Sequence, residues 1–230
     1  MLVFDPPAAT LAPTTDASRL FPVRRVICVG RNYAAHAREM GSDPDREPPF
    51  FFTKWAEAVT PSGVAIAYPS QTKDFHFEAE LVVAIGMAGA NIAARDALDH
   101  IYGYATGLDM TRRDLQNAAK GAGKPWDAGK NFDHASPLGL IHPAAEIGHP
   151  DSGAITLTVN GEIRQSGDLA DLIWPVADII AAASTLWALQ PGDLIYTGTP
   201  AGVGPVVPGD RIVVSIEGLT DTVITIGPAA

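Results

Sequence analysis

Residues 74 to 86 read DFHFEAELVVAIG, a segment in which polar and apolar side chains alternate before giving way to an unbroken apolar run. A period of two places His76, Glu78 and Glu80 on one side, and Phe75, Phe77, Ala79 and Leu81 on the other. Carboxylates at i and i+2 on one strand face lie within reach of a single ion, and their mutual repulsion disfavours ionising both unless a cation sits between them. A third acid, Asp109, closes the segment YATGLDM just ahead of a helical pattern, where strand ends commonly face a site. Three oxygen donors and no cysteine describe a hard cation, with Mg²⁺ first, Mn²⁺ next, Ca²⁺ third and zinc disfavoured. The plain alternatives are a solvated strand face for the glutamates and an ordinary helix N-cap for Asp109.

His36 and Glu39 in GRNYAAHAREMG form a second constellation. At i and i+3 on a helix they share a face, so the carboxylate can fix the imidazole tautomer and raise its basicity toward a water; an exposed polar helix face explains the same spacing. The third is TGTPAGVGP, residues 197 to 205, a loop rich in Gly and Pro whose backbone N–H groups could hold a carboxylate. It lacks the Gly-Lys-Ser/Thr ending of a phosphate-binding loop, and a tight structural turn fits it equally well. Lys130, Gln116 and Arg113 are scattered polar residues that spacing alone assigns to the surface.

The elements that must position these residues are mostly strands. VRRVICVG, PFFFTKW, ELVVAIG and YATGLDM read as strands, and NYAAHAREMG as a short helix with Asn32 as N-cap and Gly41 just past its end. ARDALDHIYG has helical spacing. Further helices are expected from about Thr111 to Ala119 and from about Val176 to Trp187. Asn160-Gly161 between two alternating runs signals a hairpin. PGDLIYTGTPAGVGPVVPGDRIVVSIEGL then supplies two short strands, and DTVITI a closing one. Many short strands, few helices and no regular βαβ alternation argue an α+β fold with a curved, barrel-like sheet. Residues 1–20, rich in Pro, Ala and Thr, read as an N-terminal arm, and 21–230 as one main domain.

The chain has 230 residues, 16 Lys plus Arg against 26 Asp plus Glu, and a net charge of −10. That balance repels phosphate backbones and anionic lipid, so nucleic acid and membrane surfaces are excluded as expected partners. An acidic substrate then requires local cations or a metal. Cys28 is the one cysteine, which rules out a disulfide framework and fits a reducing cytoplasm. The N-terminus does not read as a signal peptide, and no apolar run approaches the roughly 20 residues of a membrane span.

Taken in order, CVGRNYAAHAREMG, PPFFFTKW, HFEAELVVAIG, GYATGLDMTRRDLQ, GKPWDAGKNFD, LTVNGEIRQSGD and PGDLIYTGTPAGVGPV resemble the fumarylacetoacetate hydrolase family, and within it the acylpyruvate-type branch. The resemblance runs from about Phe21 to about Leu219. It implies a mixed β-sandwich roll, or partly open barrel, with flanking helices and a homodimeric assembly. It implies a divalent metal on Glu78, Glu80 and Asp109, with no organic cofactor. His36 and Glu39 become the water-activating pair, Lys130 a cation at the reacting oxygens, and Arg113, Gln116, Gly198 and Thr199 substrate contacts. The implied reaction is hydrolysis of the C–C bond of a 1,3-diketo acid, with fumarylpyruvate giving fumarate and pyruvate. A broader acylpyruvase, an oxaloacetate decarboxylase, an isomerase or hydratase of related keto acids, and a metal-dependent binding protein without turnover are the alternatives. Two departures stand out. Phe77 replaces a histidine that is frequent in relatives, and Trp55 replaces a proline, which leaves the loop after Lys54 and the role of Lys54 open. Arg112, Lys120 and Lys124, in the segment expected to line the far end of the site, are candidate partners for a second substrate carboxylate.

Overall fold

The run Ala79–Ile85 is apolar on both faces except at Glu80, and every one of its residues is buried. A strand of that kind needs cover on two sides. In the computed structural model, which describes residues 1–39 and 48–229, Leu81, Val83 and Ile85 enter one core with Ile27, Val29 and Ile195. Val82 and Ala84 enter a second core with Val26, Cys28, Leu194 and Tyr196. The second core is capped by Ala12, Phe21 and Val23. Of the expected arm, Leu11–Pro13 is therefore anchored: it pairs with Leu20–Pro22 because Ala12 and Phe21 have apolar surface to bury.

The central sheet is mixed, in the order Phe50–Lys54, Arg25–Gly30, Asp193–Tyr196, Ala79–Ile85, Ile101–Leu108, Ser136–Leu138, Val59–Pro61. Arg25–Gly30 runs parallel to Asp193–Tyr196, which in turn runs antiparallel to Ala79–Ile85. A five-stranded sheet, Glu162–Asp168, Ala154–Val159, Arg211–Ile216, Thr222–Ala229 and Ala65–Tyr68, turns Ile155, Leu157, Val159, Ile212, Val214, Ile216, Ile224 and Ile226 into the first core. A small third sheet joins Thr111–Arg112, Phe75–Phe77 and Gly204–Pro205. Strand-rich α+β architecture with sheets sharing a core and few helices is what the sequence predicts.

Local chemistry sets the connections. Asn160 and Gly161 adopt φ values of 54° and 86°, the left-handed pair that a two-residue hairpin demands. Val176–Leu186 is a helix that buries Val176, Ile179, Ile180, Ala183 and Ser184, one stripe at helical spacing. The helix expected from Thr111 begins instead at Arg113 and runs to Gly121, because Thr111 and Arg112 pair with His76 and Phe75 as a short strand. Ala94–His100 winds as a 3₁₀ helix rather than an α-helix. Asn32 does not cap the helix Ala34–Glu39: its side chain accepts from Trp174 N and donates to Trp174 O and Thr197 O, tying two loops together. The expected stop at Gly41 lies outside the described residues. Among those residues no helix is long and apolar enough to cross a membrane.

Candidate active site

Glu78 interrupts the alternating segment, so Phe75–Phe77 and Ala79–Ile85 are separate strands in separate sheets. The bend aims Glu78 and Glu80 at the end of Ile101–Leu108, where Asp109 N donates to Glu78 O at 2.9 Å. Carboxylate oxygens of Glu78, Glu80 and Asp109 lie within 4.8 Å of one another, and all three residues are buried. A solvated strand face is thereby ruled out. Phe77 is buried on the opposite side, so the missing histidine removes no donor from the cluster.

Three cations serve these acids. Lys130 Nζ, from the short helix Asp127–Lys130, donates to Glu78 Oε2 and Asp109 Oδ2, both at 2.7 Å, and to Thr111 Oγ1 at 2.8 Å. Arg113 Nη2 donates to Glu78 Oε1 at 2.5 Å, while its Nη1 donates to Gln116 Oε1 at 2.6 Å. Lys54 Nζ lies 2.6 Å from Asp109 Oδ1 and donates to Ala135 O at 2.6 Å and Met110 O at 3.3 Å. Its contact with Oδ1 is close but misaligned for a hydrogen bond, so Oδ1 accepts none.

The electrostatics differ sharply among the acids. Burial alone would raise the Glu78 carboxyl pKa, but Lys130, Arg113 and His36 together outweigh it and hold the group well below the carboxylate range. Burial dominates at Glu80, reinforced by Asp109 and Glu78, and pushes its pKa well up against the opposing Gly198 N–H and Lys130. Burial likewise favours the neutral amine at Lys130, yet Asp109 and Glu78 hold its pKa above the ordinary lysine value.

Glu80 and its neighbours make the fit test for a metal. A buried carboxylate whose charge is resisted, with the oxygens of two further carboxylates within 4.8 Å, suits a divalent oxygen-seeking cation. The donor set fits.

Gly198 reaches Glu80 because it stands at φ 101°, where its N–H donates to Glu80 Oε2 at 2.9 Å; a Cβ there would come within 2.7 Å of Asn32 Cβ. Its neighbour Thr199 Oγ1 accepts from Gln165 Nε2 at 2.8 Å. His36 Nδ1 lies 3.2 Å from Glu39 Oε2, with His36 buried and Glu39 exposed at the rim. His36, Glu78, Glu80, Asp109, Arg113, Gln116, Lys130 and Thr199 all line one cleft. Arg112 is elsewhere, its guanidinium 4.3 Å from the Phe132 ring centroid, because the strand pairing of Thr111–Arg112 turns it away.

Lys54 and Gln165 were not legible as site residues. Lys54 ends an apolar strand, and its role stays open until the sheet closes over it. Trp55 keeps φ −68°, a value open to proline, and its N–H donates to Asn131 Oδ1 at 2.9 Å, which sets the loop's course. Gln165, fully buried, accepts from Ala79 N and donates to Thr199 Oγ1 and Pro200 O, clamping the carboxylate strand to the loop. Only the single polar residue at a core-facing hairpin position hinted at it. Lys54→Met is expected to cost about 3 kcal/mol in chelator, the lower end for breaking a buried ion pair, since Lys130 still holds the other Asp109 oxygen. Mg²⁺ should recover part of that loss in denaturant titrations, and a variant as stable as wild type in chelator would remove Lys54 as the counter-ion of Asp109.

Residues 25–226 match the family model for the C-terminal domain of fumarylacetoacetate (FAA) hydrolase. The chain belongs to the fumarylacetoacetate hydrolase family. Members similar to it include a fumarylpyruvate hydrolase from a Ralstonia species, 48% identical over 192 residues that span 83% of this chain and 100% of the relative. The structure of fumarylpyruvate hydrolase from Pseudomonas aeruginosa in complex with Mn²⁺ and pyruvate superposes with a TM-score of 0.97 at 50% identity, covering 99% of this chain and 100% of that one. The oxaloacetate tautomerase YcgM from Escherichia coli strain K12 is 42% identical over 199 residues, 86% of this chain and 90% of the relative.

Proposed function

We propose that the protein is a metal-dependent acylpyruvate hydrolase that splits fumarylpyruvate into fumarate and pyruvate. The observation that carries this reading is the placement of His36, in contact with Glu39 through Nδ1, in the same cleft as the carboxylate cluster, since cleavage by water needs a base as well as a hard-cation site. Likeness to two fumarylpyruvate hydrolases at about half identity supports the choice of substrate.

Glu78, Glu80 and Asp109 would hold Mg²⁺ or Mn²⁺. When bound, the ion supplies Lewis acidity at the 2-oxo acid end of the substrate. Glu39 holds His36 Nδ1, which leaves Nε2 to take a proton from water. The water oxygen bonds to the fumaryl carbonyl carbon, and Lys130 sets positive charge beside the oxygen that becomes negative. The bond to the methylene then breaks, its electron pair stays with the methylene fragment, and the proton returned there completes pyruvate. Arg113, Gln116, Gly198 and Thr199 orient the 2-oxo acid. An acidic chain would admit a dianion this way because the ion, when bound, adds positive charge to a site where Lys54, Arg113 and Lys130 already offset the three carboxylates. A cytoplasmic homodimer is the assembly and location we assign.

Oxaloacetate tautomerisation is the second reading, favoured by the YcgM likeness. That reaction moves a proton without adding water across a C–C bond. Ranking fumarylpyruvate, maleylpyruvate and acetylpyruvate by kcat/KM for pyruvate release, with oxaloacetate tautomerisation followed on the same preparation, tests both. Fumarylpyruvate should rank first; tautomerisation without pyruvate release from any acylpyruvate would overturn hydrolysis.

A further inference from the structure

The carboxylate cleft continues outward into a second, larger chamber, the two sharing Arg31, Phe52, Lys120, Trp126 and Lys130. The chamber's inner wall is aromatic: Trp126 lies 4.9 Å from Phe50 and 5.8 Å from Phe52, centroid to centroid. Arg31 stands where the two spaces meet, its guanidinium 6.0 Å from the Trp126 ring centroid.

From this arrangement we infer that Arg31 is the specificity residue for the far carboxylate of a dicarboxylic acylpyruvate, with Phe52 and Trp126 flanking the flat conjugated chain between the two ends. The inference deepens the hydrolase reading and rests on it. The 2-oxo acid end belongs at Glu78, Glu80 and Asp109, so the acyl end extends toward the shared boundary, and a planar enoyl chain suits ring faces. A guanidinium presents a fork of donors matched to a carboxylate and stacks on an aromatic face, which holds that fork in one orientation. Lys120 and Lys124 are exposed, so water screens them more strongly than the half-buried Arg31. Lys124 lines only the outer chamber.

The backbone adds weight. Arg31 sits at φ 63°, a left-handed conformation that disfavours arginine by about 1 kcal/mol or more where glycine or asparagine would sit easily. Strained backbone of this kind gathers at ligand-binding positions.

The test compares kcat/KM for fumarylpyruvate and acetylpyruvate in Mg²⁺-loaded wild type, Arg31→Asn and Arg31→Lys. Asparagine accepts the left-handed backbone, so an unchanged melting curve separates lost recognition from lost folding. The fumarylpyruvate-to-acetylpyruvate ratio should fall roughly 30-fold or more in Arg31→Asn, the scale for removing one partner of a charge pair, and Arg31→Lys should regain part of it. An unchanged ratio in Arg31→Asn overturns the inference, as does a fall found only in Lys120→Met. Should wild type release pyruvate from neither compound, the hydrolase reading fails by itself. Affinities for the two compounds, followed by tryptophan fluorescence, then decide the role of Arg31: selective loss of fumarylpyruvate binding in Arg31→Asn supports it, and equal losses overturn it.

Discussion

Chelator-treated protein is expected to hydrolyse no acylpyruvate, and Mg²⁺ or Mn²⁺ to restore turnover. Glu80→Gln should remain inactive with either ion, because two carboxylates are left for a cation that prefers about six oxygens. Stability should move the other way. Burial raises the folded-state pKa of Glu80 above its ordinary 4.5, so its contribution to stability is fully present below that value and lost as pH rises through the folded-state one. At neutral pH in chelator, Glu80→Gln should therefore melt above wild type, each 1 kcal/mol appearing as about 2 to 4 °C in a chain of this size. Added Mg²⁺ should raise the melting point of wild type and leave the variant where it is. Glu78, with its pKa held low, contributes the opposite slope, present above 4.5 and lost toward acid. Full activity after verified metal removal, or equal Mg²⁺ responses in the two proteins, would defeat the assignment.

His36→Ala carries the second large effect. Loss of a positioned base should lower hydrolysis by roughly 10²-fold or more with KM little changed. Oxaloacetate decarboxylation, which needs no water attack, should suffer much less. Glu39→Gln should give a milder loss, since it leaves the imidazole in place and weakens only its orientation. Comparable losses in hydrolysis and decarboxylation for His36→Ala would mean that the imidazole binds or orients substrate rather than activating water.

The carboxylates and the His36–Glu39 pair could be read from local pattern, whereas Arg113, Gln116 and Lys130, which spacing assigns to the surface, are buried beside them. Glu78 and Glu80, two residues apart, still meet at one cluster although the strand breaks at Glu78, and the i, i+3 spacing of His36 and Glu39 is kept on a helix. What escaped is what only long-range closure creates. Lys54 becomes a counter-ion because Phe50–Lys54 pairs with Arg25–Gly30 and brings its end to Met110 and Ala135. Gln165 becomes a clamp because a hairpin crosses to Ala79, 86 residues away in sequence. Asn32 carried a strong local signal as a cap, yet two loops offered its amide better partners. The strands were legible from apolar runs, whereas their order, with residues 25–30 lying between 50–54 and 193–196, was written in no local window.

That order has a consequence for how the chain is made. Arg25–Gly30 leaves the ribosome long before Asp193–Tyr196, the strand that fills one of its edges. Until then Val26 and Cys28 lack Leu194 and Tyr196, their neighbours in the second core, and an unpaired apolar strand edge stays open to other nascent chains. At roughly 5 to 20 residues per second that interval lasts many seconds. Nascent chains stalled before Asp193 should consequently depend on chaperones that hold exposed strands, and that dependence should ease once Asp193–Tyr196 covers the edge of Arg25–Gly30.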